Sequence, residues 1–197
     1  MNRSEDEQEK LRSGQQASRI GQKTRDMILV AFFSALIAIC AQITVPAAVP
    51  FTLQTLAVFL AGSILGLKKG TASILIYIML GIAGIPVFSN FSGGAAVLLG
   101  PTGGYIIGFI AIAVISGFVK DKFGSKLWIT AVGMTIGLLV CYIFGTMWFV
   151  IMYNNTKGGM SIMKAVHICV IPFLLFDAIK IAVATILSNR LNKLLRI

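Results

Sequence analysis

The sequence predicts an all-α membrane protein, a bundle of six transmembrane helices with both termini in the cytoplasm. Three observations carry this. Of 197 residues, 57% are hydrophobic and only 12% are charged, about half the charged share of an ordinary soluble domain. The apolar residues gather in six runs, at 28–45, 52–67, 71–85, 102–119, 127–153 and 165–187. The charged residues sit in short clusters between them. A span needs roughly 20 apolar residues, so six spans use most of the chain and leave room for short loops and one tail.

The elements follow in order. Residues 1–27 are polar, contain no aromatic residue and hold six basic and five acidic side chains. They read as a cytoplasmic tail, partly disordered, and the polar stretch is too long to be the start of a signal peptide. A transmembrane domain follows at 28–189, then a basic cytoplasmic C-terminus at 190–197. The second and third runs are short. They extend into their loops, or one of them tilts or re-enters the membrane. The connection at 86–101, PVFSNFSGGAAVLLGP, is rich in glycine and less polar than a surface loop.

Orientation comes from lysine and arginine near the ends of the spans. The segments 1–27, 67–70, 120–126 and 189–197 hold 6, 2, 3 and 3 of them, against only Lys157 and Lys164 in the opposite loops. That asymmetry puts the N-terminus inside and requires an even number of spans. It also assigns the net charge of +10 to a lipid bilayer rather than to nucleic acid, whose partners cluster basic residues on one face. Cys40, Cys141 and Cys169 all lie within apolar runs and read as small buried residues, with neither disulfide nor metal-ligand spacing. No Walker, HExxH or GxSxG motif is present and no paired intramembrane aspartates occur, so no catalytic residue, metal or cofactor is expected. Nothing in the chain couples transport to energy.

Asp177 and Lys180 are the only carboxylate and the only cation within a predicted span. A charge near the bilayer centre costs at least about 2.5–3.5 kcal/mol, so such groups face protein or water. Three residues apart on a helix, they share a face. They either neutralise each other to lock helix packing or offer an acceptor and a donor to a polar ligand. The second reading is preferred because no other charged group in the spans is available to bind anything.

The glycines Gly93, Gly94, Gly103 and Gly104, with Pro101 and Tyr105, form a second feature. They make either a tight turn with helix-packing glycines or a cradle of backbone amides for an anion, beside the positive end of the helix beginning near Thr102. Asn90 and Gln54 are possible hydrogen-bonding residues at the outer ends of spans. Tyr77, Phe91 and Tyr105 wall an apolar cavity or pack in the core. In the first span the small residues Ala31 and Ala35 allow close helix approach, either within the chain or with a partner.

Three segments together, PFTLQTLAVFLAGSILGLKKG, GIPVFSNFSGGAAVLLGPTGGYIIGF and PFLLFDAIKIAVA, resemble the BioY family, the biotin-binding S components of energy-coupling factor (ECF) vitamin transporters. The resemblance covers about residues 28–187. It implies a six-helix bundle with a biotin pocket near the outer face, in the cell membrane of a prokaryote. Asp177 and Lys180 would bind the ureido ring, with Asn90 the nearest match to an asparagine that contributes in the family. Ala31 and Ala35 would dock on a transmembrane T component, and two cytoplasmic ATPase subunits would use the ATP. Biotin would be cargo, and no cofactor is implied. Some members hold the biotin carboxylate with an arginine, but no arginine lies between Arg25 and Arg190. Backbone amides around Gly93–Gly94 or Gly103–Gly104 are the substitute. The rival readings are an S component for another vitamin and an intramembrane enzyme or assembly protein.

Overall fold

The structure, a computed structural model, describes the backbone of residues 3–45, 49–156 and 158–195 and the side chains of residues 19–194 among these. Lys157 and Arg196, both counted in the charge bias, lie outside the described residues. The elements in chain order are α1 (Arg3–Gln42), β1 (Thr44–Val45), β2 (Phe51–Thr52), α2 (Gln54–Ile82), a 3-10 turn (Ser89–Phe91), α3 (Ala95–Leu98), α4 (Gly103–Phe123), α5 (Leu127–Thr156), α6 (Ile162–Cys169) and α7 (Ile171–Leu195). Five segments are long and apolar enough to cross a membrane: Arg19–Gln42 of α1, all of α2, α4 and α5, and Ile171–Leu194 of α7.

Three local features depart from the sequence expectation. Helical backbone runs back to Arg3, through the stretch read as partly disordered. Its Glu, Gln, Lys and Arg residues are good helix formers and no proline interrupts them. The connection after α1 carries two short antiparallel strands, pairing Thr44 with Thr52 and Val45 with Phe51, in a chain expected to be all-α. The sixth apolar run is broken at Val170 (φ −122°, ψ −56°) into the short α6 and the long α7. Pro172, in the first turn of α7, has no N–H to leave unpaired there.

The second and third apolar runs meet within α2. Gly66, at φ 79° and ψ −174°, interrupts the helix, and the halves on either side fold back along each other. Gln54 reaches Tyr77 at 2.7 Å, whereas a continuous helix would separate them by roughly 34 Å. A Cβ on Gly70 would lie 2.8 Å from the Ala61 carbonyl oxygen. The expected loop at 67–70 is therefore a turn at a single glycine. The break frees backbone groups on both sides, and two consecutive residues near the end of α4 satisfy them. The Lys120 ammonium donates to the Ile64 carbonyl, and Asp121 accepts from the Leu67 amide at 2.9 Å.

Close helix approach is made by small residues, as expected where lipid supplies no hydrophobic drive between helices. A Cβ on Gly62 would meet Ser116 and Ala113 of α4, and one on Gly108 would meet Cys141 of α5. Between these contacts lie buried Phe59, Ile64, Ile74, Ile112 and Met134, while Ile143, Leu175 and Ile179 point outward from the bundle.

Candidate functional site

The site lies where α2, α4 and α7 begin, at the end of the bundle opposite Gly66. Asp177 is almost fully buried, 2% exposed, and its carboxylate is held by three donors. Lys180 approaches Oδ1 at 2.8 Å, the Thr55 hydroxyl donates to Oδ1 at 3.1 Å, and the Tyr142 hydroxyl donates to Oδ2 at 2.5 Å. Lys180 spends its other two N–H groups on the Thr52 carbonyl at 2.7 Å and on Thr55 Oγ1 at 3.0 Å. A buried ion pair survives desolvation only when its remaining bonds are made, and here α2, α5 and strand β2 supply them. Strand β2 is seated on α7 by Phe51, whose ring stacks on Phe173 at 3.9 Å and 9° and meets Phe176 edge-on. That stacking keeps the Thr52 carbonyl above Lys180.

A cavity opens beside the pair, with both apolar and polar side chains in its walls. Its apolar wall includes Ile106, Phe109, Leu138 and Phe173. Its polar wall includes Gln54, Thr55, Tyr142, Asp177 and Lys180, with Ser89 and Thr102 also contributing. Tyr105, singled out in the sequence, lines the cavity and shares a 2.9 Å hydrogen bond with Thr146. Buried charge, a few hydroxyls and an apolar slot can hold a small ligand that is polar on one side and apolar on the other.

The structure brings together Asp177, Lys180, Tyr105 and Gln54, and places the other singled-out residues elsewhere. Tyr77 is fully buried behind the cavity, bonded to Gln54 and edge-on to Phe88. Asn90 and Phe91 occupy a turn with positive φ, 57° and 53°. Both are exposed, Phe91 by 72%, and neither lines the cavity. Gln42 pins this turn to α1, accepting from the Phe91 amide at 2.9 Å and donating to the Phe88 carbonyl at 3.0 Å. Gly93 and Gly103 face carbonyl oxygens, of Ile85 and Leu98, and Gly104 faces the Trp148 side chain. Gly94, at φ 93°, turns the chain into α3, and its amide bonds the Gly81 carbonyl at 2.7 Å. None of the four glycines lines the cavity. Among the described residues, no group of three or more His, Cys, Asp or Glu is placed to hold a metal ion.

Thr52, Thr55 and Tyr142 escape a reading of the sequence. Thr55 lies 122 residues from Asp177 in the chain and Tyr142 lies 35 residues from it. Neutral hydroxyls within apolar runs give no local signal of what they bond.

Comparison with known proteins matches the chain to one family. Residues 9–197 match the sequence model of the BioY family. The chain is 43% identical over 171 residues to the biotin transporter BioY of Thermotoga maritima, covering 86% of this chain and 97% of that protein. It is 44% identical over 171 residues to the probable biotin transporter BioY of Pyrococcus horikoshii, covering 86% and 98%. Among solved structures it is similar to the S-component for biotin from an ECF-type ABC transporter. The TM-score is 0.81 at 27% identity, with 88% of this chain and 93% of that chain covered.

Proposed function

The chain belongs to the BioY family, and from that premise we infer that its cavity takes biotin for import by an ECF-type transporter. The chain is a multi-pass membrane protein and a substrate-binding component, with no enzymatic role. The observation that carries the reading to named residues is the buried Asp177–Lys180 pair on the wall of a largely apolar cavity. The ureido ring of biotin offers N–H donors and a carbonyl acceptor on one rigid edge. Asp177 accepts from an N–H and Lys180 donates to the carbonyl, while the fused sulfur ring lies against Phe109 and Phe173. All three N–H groups of Lys180 already have protein acceptors, so binding exchanges hydrogen bonds, and the net gain is that of the better geometry. The valerate chain runs toward Ser89 and Thr102, where the start of α4 offers the positive end of its dipole.

The wider assembly is proposed on the same premise. The reversal at Gly66 supports six crossings, two of them from α2, and the basic clusters support cytoplasmic ends. Ala31 and Ala35 are both exposed on α1, which supports their docking on a transmembrane T component. Two cytoplasmic ATPase subunits would then use the ATP, in the cell membrane of a prokaryote, with no cofactor held by this chain. Equilibrium binding to the detergent-purified protein tests the ligand assignment. Biotin is expected to bind, and biotin methyl ester to bind more weakly because it loses the charge that α4 favours. Absence of biotin binding by the folded protein would refute the reading. Equal affinity for the ester would place the carboxylate in water.

A further inference from the structure

A ureido ring carries two N–H donors and one carbonyl, and the Asp177–Lys180 pair as read above accounts for one N–H and the carbonyl. In an apolar cavity the second N–H needs an acceptor of its own. Four deeply buried polar side chains line the wall: Gln54, Tyr105, Tyr142 and Asp177, exposed by 4%, 8%, 7% and 2%. Tyr105 is bonded to Thr146, Tyr142 gives its proton to Asp177, and both oxygens of Asp177 are engaged. Gln54 differs. Its amide nitrogen donates to the Tyr77 hydroxyl at 2.7 Å, but its amide oxygen accepts from no group among the described residues. Gln54 itself lines the cavity.

Position supports the same conclusion. Gln54 immediately precedes Thr55, which bonds both Asp177 and Lys180. The amide therefore begins one residue from the charged pair. Tyr77 is fully buried and packed on Phe88, so the hydroxyl that receives the amide nitrogen is itself fixed. Holding the nitrogen there fixes the plane of the amide beside the cavity.

We propose that Gln54 is a specificity residue whose amide oxygen accepts the second ureido N–H of biotin, oriented for that task by Tyr77. The proposal rests on the biotin reading of the same cavity. Its test is equilibrium binding of biotin and of two analogues, each methylated on a different ureido nitrogen, to the unaltered protein and to Gln54→Met. Methionine keeps the length of the side chain and removes the acceptor. The unaltered protein should lose roughly tenfold to hundredfold in affinity with either analogue, since each lacks a hydrogen bond in a buried site. Gln54→Met should bind biotin weaker by a similar factor. It should then lose little more on methylation of one nitrogen while staying sensitive at the other. A variant that binds biotin as tightly as the unaltered protein overturns the proposal. So does a weakened variant that remains sensitive at both nitrogens, which would make Gln54 structural. If Gln54→Met does not fold, Tyr77→Phe is measured in its place: it releases the Gln54 amide and should weaken biotin binding, and unchanged affinity overturns the proposal. An unaltered protein that binds no biotin overturns the underlying reading together with this one.

Discussion

Asp177 takes three hydrogen bonds while almost wholly out of water, and each of its donors comes from a different helix. Removing a partner from a buried charge costs more than the bond itself, because the remaining group stays desolvated. Asp177→Asn and Lys180→Met are each expected to reduce biotin affinity tenfold to hundredfold, from about 1.5–3 kcal/mol for a hydrogen bond to a charged group. The double variant should lose less than the sum, since the two groups neutralise each other. Tyr142→Phe should weaken binding through Asp177, within the same range, although its ring still fills the wall. Isothermal titration of the purified variants reads all four. Unchanged affinity in the folded singles would make the pair a packing device. The charged pair was legible in the sequence because charge is rare within an apolar run. Asn90 and Phe91 were also candidates, yet Gln42 holds their turn at the surface, a contact across 49 residues that no local pattern reveals.

At the scale of elements, the reversal within α2 depends on one glycine. A side chain at Gly66 would adopt a positive φ and would also strike Asp121, whose Oδ1 lies 2.4 Å from the ideal Cβ. Backbone with positive φ and ψ near 180° is essentially glycine's alone and costs an ordinary residue about 1–3 kcal/mol, and displacing Asp121 would also unpair the Leu67 amide. Gly66→Ala should therefore destabilise the protein by about 2 kcal/mol or more. Gly84 isolates the backbone contribution, having φ 94° with open space around it. Gly84→Ala should cost only about 1–2 kcal/mol. Thermal unfolding in detergent compares them, and equal losses would show that Asp121 adds nothing. The helices were legible from their apolar runs, with the second and third runs marked as too short. The turn itself was obscured by Lys68 and Lys69, which read as a polar loop. They instead begin the returning half of the helix, where Lys69 pairs with Asp26 of α1 at 2.7 Å.

For the whole molecule, the predictions concern sidedness and assembly. Single cysteines near Lys122 and near Asn155 lie at opposite ends of α4 and α5. A membrane-impermeant thiol reagent on intact cells should label the Asn155 site and spare the Lys122 site, and the reverse pattern would invert the topology. Ala31 and Ala35 are exposed on α1, so replacing both with tryptophan has room within this chain. The double variant should bind biotin normally and fail to co-purify with a T component. Normal co-purification would remove α1 from the docking surface. The expected sidedness rests on the basic residues at the span ends. The exposed face of α1 was not legible, because small-residue spacing is the same on a buried stripe as on a free one.

The residues that close the turn at Gly66 are made late. Lys120 reaches back 56 positions to the Ile64 carbonyl, and Asp121 reaches back 54 to the Leu67 amide. On a growing chain, the two halves of α2 leave the ribosome with their turn unfinished. They complete it only after α4 has been synthesised and has entered the bilayer beside them. A nascent chain stopped before Lys120 should thus expose the turn to protease, and one stopped far enough beyond α4 for that helix to have cleared the ribosome should protect it.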